Sequence, residues 1–328
     1  MAIFTGMSKH LGGTDQVVLP RPVFYGLVQK NVLVTGAYGQ LGCALKSVSE
    51  RVNLPFRFFF TDVDSLDITD KEQVDDYVTR YHIQYIVNGA AYTAVDKAEA
   101  EPERAFAVNE EAVRNLALVT REHAVRLIHL STDFVFDGHS DVPYTEAVKP
   151  RPLSVYGESK LQGEEALQAV GGDWIILRTA WLFSEFGSNF VKTMIRLMGE
   201  RESLTVVNDQ TGSPTYAVDL AEMILYILQR AEEEQTWKTG LYHFSNVGAV
   251  TWFDFVRAIQ RLAGLTGCEL LPVSSEEYGA AAVRPTYSVL DHAKIRAAFN
   301  VVIPTWEDAL GRCIQAIQSH GISLEYHG

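Results

Sequence analysis

Residues 32–42 read VLVTGAYGQLG, and this stretch decides the fold. Val32, Leu33 and Val34 form a short apolar run without polar alternation, the mark of a strand covered on both faces. Gly36, Gly39 and Gly42 follow at three-residue spacing and open a stretch of helical periodicity. Glycines at the mouth of a helix permit a tight turn and close backbone approach, so the N–H groups of the first turn face an anion such as a pyrophosphate. A glycine triplet alone is a weak signal, since the same residues also serve a structural turn. The strand before it, the helix after it and Asp62, twenty residues beyond Gly42 at the end of a second strand, make it a dinucleotide-binding loop. An aspartate there accepts hydrogen bonds from a ribose 2′-OH and repels a 2′-phosphate. No arginine lies between Thr61 and Asp70, so the stretch leans toward NADH and leaves NADPH open.

Outward from the loop, the runs NVLVT, FRFFFTD, QYIVNGAA, VRLIHLST and DWIILRT alternate with amphipathic stretches starting near Gly39, Thr69, Glu101 and Ser154. Strands that alternate with helices mean crossovers in a parallel, doubly wound α/β sheet. This rhythm covers residues 31–180, the expected dinucleotide-binding domain. Residues 181–328 follow a looser pattern: helical periods over 189–198, 215–233, 251–263, 291–298 and 306–318, with a strand in GLYHFSN. They are expected to form mainly a smaller substrate-binding domain, parts of which pack back on the first sheet. Residues 1–30 show no period and no continuous apolar core of a signal peptide, and stand as an N-terminal extension of unknown role.

The 328 residues are 47% hydrophobic and 21% charged, ordinary for a globular chain, and carry a net charge of −13. That charge argues against nucleic acid and anionic membranes as partners. No run approaches the eighteen apolar residues of a membrane span, and a cytoplasmic location is expected. The three cysteines, Cys43, Cys268 and Cys313, are widely separated and form no C-x-x-C, so reduced thiols and no metal site are expected.

The chemistry lies in SVYGESKLQGEEAL, from Ser154, where Tyr156 and Lys160 stand one helical turn apart on one face. Alone, the pair equally describes a half-buried tyrosine beside a snorkelling lysine. Next to a nicotinamide site it acquires a purpose. Hydride addition to a ketone leaves an alkoxide that needs a proton from a positioned acid. A neighbouring ammonium is expected to lower the phenol pKa and also to hold the cofactor ribose. The strand VRLIHLST ends at Ser131-Thr132, and ligands of parallel sheets collect beyond the strands' carboxyl ends. Thr132 is thus placed to share the carbonyl oxygen with Tyr156.

The glycine loop, Asn88-Gly-Ala-Ala, Asn109, Ser131-Thr132-Asp133 and Tyr156-x-x-x-Lys160 together resemble the extended short-chain dehydrogenase/reductase family. The strings AAYTAVDKAE, STDFVFDG, YGESKLQGE, LRTAWLFSEFGSNFVKTM, VNDQTGSPTY and VRPTYSVLD are similar to its nucleotide-sugar reductases. The resemblance implies a Rossmann-type fold, NADPH or NADH as cofactor, and a dTDP-linked 4-keto sugar reduced at C4. It implies Tyr156 as proton donor, Lys160 as its electrostatic partner, and Thr132, Asp133 and Trp181 as substrate contacts. Gln40, Leu41, Asp67, Ile68, Ala91, Tyr92 and Thr93 would join Gly36, Gly39, Gly42, Asp62, Tyr156 and Lys160 around the cofactor. A homodimer is compatible with it.

Two positions depart from the pattern: Phe134 stands where many members carry Tyr, and Ala44 where some carry a metal-binding Glu. No metal is therefore expected. Nucleotide-sugar dehydratases and epimerases share the resemblance, but Phe134 cannot supply the extra acid of a dehydratase. A noncatalytic regulatory subunit, similar to the β subunit of some methionine adenosyltransferases, remains the alternative from another class.

Overall fold

The computed structural model describes residues 29–319, so the extension expected over 1–30 lies almost wholly outside the described residues. Lys30 already opens the first strand, one residue earlier than the apolar run suggests, pairing with Phe56. The central sheet holds β1 (Lys30–Thr35), β2 (Phe56–Thr61), β3 (Ile83–Asn88), β4 (Arg126–Thr132), β5 (Trp174–Thr179) and a sixth strand, Gly240–His243. All pairings are parallel, in the order β2-β1-β3-β4-β5-sixth. The order reverses between β1 and β3, which opens a crevice at their carboxyl ends.

Each strand sends alternate side chains to opposite faces, and both faces are covered. Val32, Val34, Val87, Ile175 and Leu177 pack with helix α1 (Gln40–Arg51) and the long helix Ala217–Glu234. Leu33, Ile86, Leu127 and Ile176 pack against helices Lys71–Arg80, Ala112–Glu122 and Val155–Val170. The helix carrying Tyr156 starts where Ser154 Oγ accepts from Gly157 N at 3.2 Å and ends at Gly171, whose φ of +80° a side chain would disfavour.

The sheet does not end with the first half of the chain. Its sixth strand and the Ala217–Glu234 helix both follow residue 180. The remaining C-terminal segments carry small two-stranded pairs, among them Ser203–Val207 with Glu269–Val273. The latter strand has no apolar alternation and contains Pro272, so the sequence offered no strand signal there.

The helical stretch beginning at Pro102 contains a π-turn, Ala107–Glu111. It turns Asn109 inward, where Oδ1 accepts from Tyr92 N at 2.9 Å while Nδ2 donates to Tyr92 O at 3.1 Å and Ser159 Oγ at 3.0 Å. One buried amide thus ties the loop after β3 to the helix of Tyr156.

Candidate active site

A cleft of about 900 Å³ runs along the carboxyl ends of the strands, from the glycine loop to the C-terminal segments. Its walls include Gly36, Gly39, Gln40, Leu41, Asp62, Asp67, Ile68, Ala91, Tyr92, Thr93, Thr132, Asp133, Tyr156, Lys160 and Trp181. Gly42 stands apart from this lining. A Cβ there would lie 2.5 Å from the Ala37 backbone, so its role is to let α1 approach the loop. Gly36 is similarly constrained, with φ +68° and an added Cβ 2.7 Å from Ala90 N.

The loop fits a dinucleotide. Gly39 caps α1 without any side-chain hydrogen bond, so the first-turn N–H groups are left for a pyrophosphate. Asp62 at the end of β2 does more than wait for a ribose: Oδ2 accepts from Tyr38 N and Oδ1 from Val63 N, both at 2.9 Å. The carboxylate therefore braces the glycine loop. The Tyr38 hydroxyl donates to Asp64 Oδ2 at 3.0 Å.

Replacing Asp62 with Ala should remove both the brace and the ribose acceptor. NADH binding should weaken roughly tenfold or more, the scale of a charged hydrogen bond. NADPH binding should fall less, because a repulsive charge leaves with the brace. Fluorescence titration with each cofactor checks this, and a wild type that binds NADPH a hundredfold better than NADH would contradict the role given to Asp62.

At the other end of the cleft, Thr132 closes β4 and Tyr156 joins it in the lining from the adjoining helix. Burial pushes the Tyr156 phenol up to about 12, with Thr132 opposing and the Asp133 charge adding to the rise. This corrects the expectation that Lys160 lowers it. The Lys160 ammonium turns instead to the backbone, donating to Leu130 O at 2.6 Å. Burial pulls Lys160 itself down to about 8, against the pull of Glu164 one turn further on. At neutral pH the phenol is consequently a protonated acid. Phe134 packs edge-on against the Tyr156 ring, with centroids 5.5 Å apart. His129, also nearby, is held neutral by burial and the Lys160 charge.

Asp133 is fully buried and its Oδ2 has no hydrogen-bond partner. Burial raises its carboxyl to about 6, opposed by hydrogen bonds from Ser288 and Thr132. A raised folded-state pKa gives stability that is complete below the unfolded pKa near 3.8 and lost as pH rises through 6. Asp133→Asn should not show this loss. Its stability relative to wild type should rise by about 1–2 kcal/mol between pH 5 and pH 8. Urea unfolding at both pH values tests it, and parallel pH profiles would refute it.

Trp181 lines the cleft with a strained backbone, φ +47°, but its ring is not a bare wall. Trp252 stacks on it at 3.4 Å between centroids and 6° between planes, and Gly212 abuts its edge, where a Cβ would come within 2.5 Å. The aromatic surface is a Trp181–Trp252 pair. Trp252 and Arg284 are two of the lining residues that sequence reasoning missed. Trp252 begins a helix as an ordinary apolar residue after the Thr251 cap, and only the shared strings around 283–291 hinted at Arg284. Among the described residues no group of three or more His, Cys, Asp or Glu side chains could hold a metal ion, and no helix is long and apolar enough to cross a membrane.

A doubly wound parallel sheet with a dinucleotide loop at one end of the cleft and a Tyr–Lys pair at the other defines a Rossmann-type NAD(P)H-dependent oxidoreductase of the short-chain dehydrogenase/reductase class. The chain belongs to the family described as the RmlD substrate binding domain, whose profile matches residues 30–319. It is 40% identical over 284 residues to dTDP-4-dehydrorhamnose reductase of Aggregatibacter actinomycetemcomitans, covering 85% of this chain and 96% of that protein. It is also 40% identical over 279 residues to dTDP-4-keto-6-deoxy-D-glucose reductase of Streptomyces niveus, covering 85% and 94%. The crystal structure of the Bacillus anthracis dTDP-4-dehydrorhamnose reductase in complex with NADP superposes with a TM-score of 0.82 at 40% identity, covering 88% of this chain and all of that one.

Proposed function

We propose that the protein reduces the C4 ketone of dTDP-4-dehydro-L-rhamnose to give dTDP-L-rhamnose, with Tyr156 as the proton donor. The reduced nicotinamide, when bound, supplies the hydride. The observation that carries the reading is the placement of Tyr156, Lys160 and Thr132 together in the cleft that continues from the glycine loop; burial raises the Tyr156 phenol to about 12. Thr132 and Tyr156 hold the carbonyl oxygen from two sides. As charge develops on that oxygen, the phenol passes its proton to a much stronger base. Asp133 takes a sugar hydroxyl on its unpartnered Oδ2, and the Trp181–Trp252 pair offers an apolar face to the ring.

The relatives' names support the substrate, and the NADP in the B. anthracis structure supports a nicotinamide cofactor. The carboxylate of Asp62, at the end of β2 in the cleft lining, favours NADH for this chain. The S. niveus relative supports a second reading, the corresponding reduction of a dTDP-4-keto-6-deoxy-D-glucose.

Assay of the purified chain with both keto sugars and both cofactors, followed by nicotinamide absorbance, tests the proposal. The dTDP sugar should turn over, and the same sugar without its nucleotide should lose kcat as well as affinity, because remote binding energy is used at the reacting carbon. Cofactor binding without turnover of any nucleotide keto sugar would favour a noncatalytic regulatory subunit.

A further inference from the structure

The first residue of α1, Gln40, joins the two ends of the cleft. Its backbone belongs to the helix start behind Gly39, where the first-turn N–H groups are left for a pyrophosphate. Its side chain bonds a segment 142 residues further on. Gln40 Nε2 donates to Leu182 O at 3.3 Å, and Ser184 Oγ donates to Gln40 Oε1 at 2.9 Å. A carbonyl only accepts, so this orientation of the amide is the one that satisfies both partners. Sequence resemblance puts Gln40 among the cofactor contacts. In the fold its amide is engaged by the wall that carries Trp181, and its backbone is the part turned to the cofactor's use.

What Gln40 holds is the strained corner of that wall. Leu182 directly follows Trp181, whose φ of +47° is disfavoured for a residue with a Cβ. Such a conformation persists where its neighbours hold it. The Trp181 carbonyl accepts from Thr215 N at 3.2 Å, Gly212 closes on the ring edge and Trp252 stacks on the ring face. Gln40 adds a hold from the helix of the glycine loop. Its second partner, the buried Ser184, accepts at its carbonyl from Asn189 Nδ2 at 2.7 Å. Asn189 caps the helix Phe190–Glu200, and Phe190 packs on Trp252 with centroids 4.3 Å apart. One amide therefore reaches both rings of the aromatic pair, Trp181 through Leu182 and Trp252 through Ser184, Asn189 and Phe190.

We propose that Gln40 is a positioning residue that couples the two ligands: a nicotinamide dinucleotide seated on the glycine loop tightens the Trp181–Trp252 surface for the pyranose of a nucleoside diphosphate sugar. This rests on the reading of the reaction given above. A pyrophosphate bonded to the first-turn N–H groups fixes the Gln40 backbone, which narrows the positions from which the amide holds Leu182 and Ser184. The strained Trp181 is then set before the second ligand arrives, and less freedom is lost when that ligand binds. Linkage makes the effect reciprocal, so the sugar nucleotide must tighten the cofactor by the same factor.

Calorimetry tests the coupling, with dTDP-L-rhamnose and dTDP each titrated into the protein with and without saturating NADH. NADH and dTDP-L-rhamnose are both already reduced, so no turnover disturbs the titration. The wild type should bind dTDP-L-rhamnose about 5- to 20-fold more tightly when NADH is present, and dTDP, which lacks the pyranose, should gain less. Gln40→Met keeps the length of the side chain and loses both hydrogen bonds. Its ratio should fall below twofold, and the KM for the keto sugar at saturating NADH should rise by the factor lost, with kcat falling less. Ser184→Ala removes one of the two bonds from a residue outside the cleft lining. Its ratio should lie between the other two, with the affinity for NADH alone unchanged within twofold.

A wild-type ratio below twofold overturns the proposal. So does a Gln40→Met protein that keeps the wild-type ratio while weakening both ligands equally, which would show a packing role, and so does an equal gain for dTDP, which would move the effect away from the aromatic pair. Should Gln40→Met not fold, an unchanged ratio in Ser184→Ala overturns it. If the wild type reduces no dTDP keto sugar, the reaction fails and the titrations still decide: a ratio lost in Gln40→Met supports the coupling, and a wild type that binds neither nucleotide overturns it.

Discussion

Tyr156→Phe is expected to lower the single-turnover reduction rate by roughly 10² to 10⁴-fold, the usual contribution of a general acid, while leaving NAD(P)H affinity within about twofold. The ring packs against Phe134 and stays in place in the variant, so the change removes one hydroxyl and little else. Its size follows from the environment. A buried phenol near 12, in the cleft lining with Thr132, is the proton source that the cleft offers to an alkoxide. His129 is neutral and outside the cleft lining, and Lys160 is committed to a carbonyl. Lys160→Met should differ by harming cofactor affinity as well as rate, because the ammonium is the group expected at the cofactor ribose and it also holds the end of β4 through the Leu130 carbonyl. A Tyr156→Phe enzyme within threefold of wild type would return the Tyr–Lys spacing to a packing coincidence.

The second large effect concerns stability. Beneath the site, Glu164 lies one turn beyond Lys160 and receives Arg178 Nε at 2.8 Å and Nη2 at 2.6 Å, with Ser131 Oγ as a further donor. Both partners are essentially without solvent contact, at 2% and 0% exposure. Arg178→Met would leave the Glu164 carboxylate buried without its cation, and a loss of about 3–5 kcal/mol in urea unfolding is expected. The double variant Arg178→Met/Glu164→Met should recover much of that loss, since an apolar pair avoids the desolvation cost. It should still turn over more slowly than wild type. The bridge joins β4 and β5 to the catalytic helix, and Ser131 directly precedes Thr132, so its removal should loosen the Thr132–Tyr156 geometry. A single variant as stable as wild type would show that Glu164 has another partner.

These two cases show what kind of information lies in the sequence. Tyr156 and Lys160 were legible because helical spacing alone sets them on one face, whatever the rest of the chain does. Glu164 and Arg178 were each visible as residues, but nothing local says that a helix and a strand fourteen residues apart will bury them against each other. Asp62 lies between the two. Its place at the end of β2 was readable, and its grip on the Tyr38 and Val63 amides depended on the path of two loops.

By itself, the sequence determined the parallel α/β plan, the dinucleotide loop and the pairing of Tyr156 with Lys160 on one helix face, because each rests on short-range periodicity or on spacing within one element. Tertiary structure decided the strand order, the addition of Gly240–His243 as sixth strand, the Trp252 ring over Trp181 and the Gln40 hold on Leu182 and Ser184. It also reversed the expected direction of the Tyr156 shift. The physical reason is common to all of these. Desolvation, ring stacking and ion pairing are sums over neighbours that the folded chain assembles from distant segments, and no window of sequence contains them.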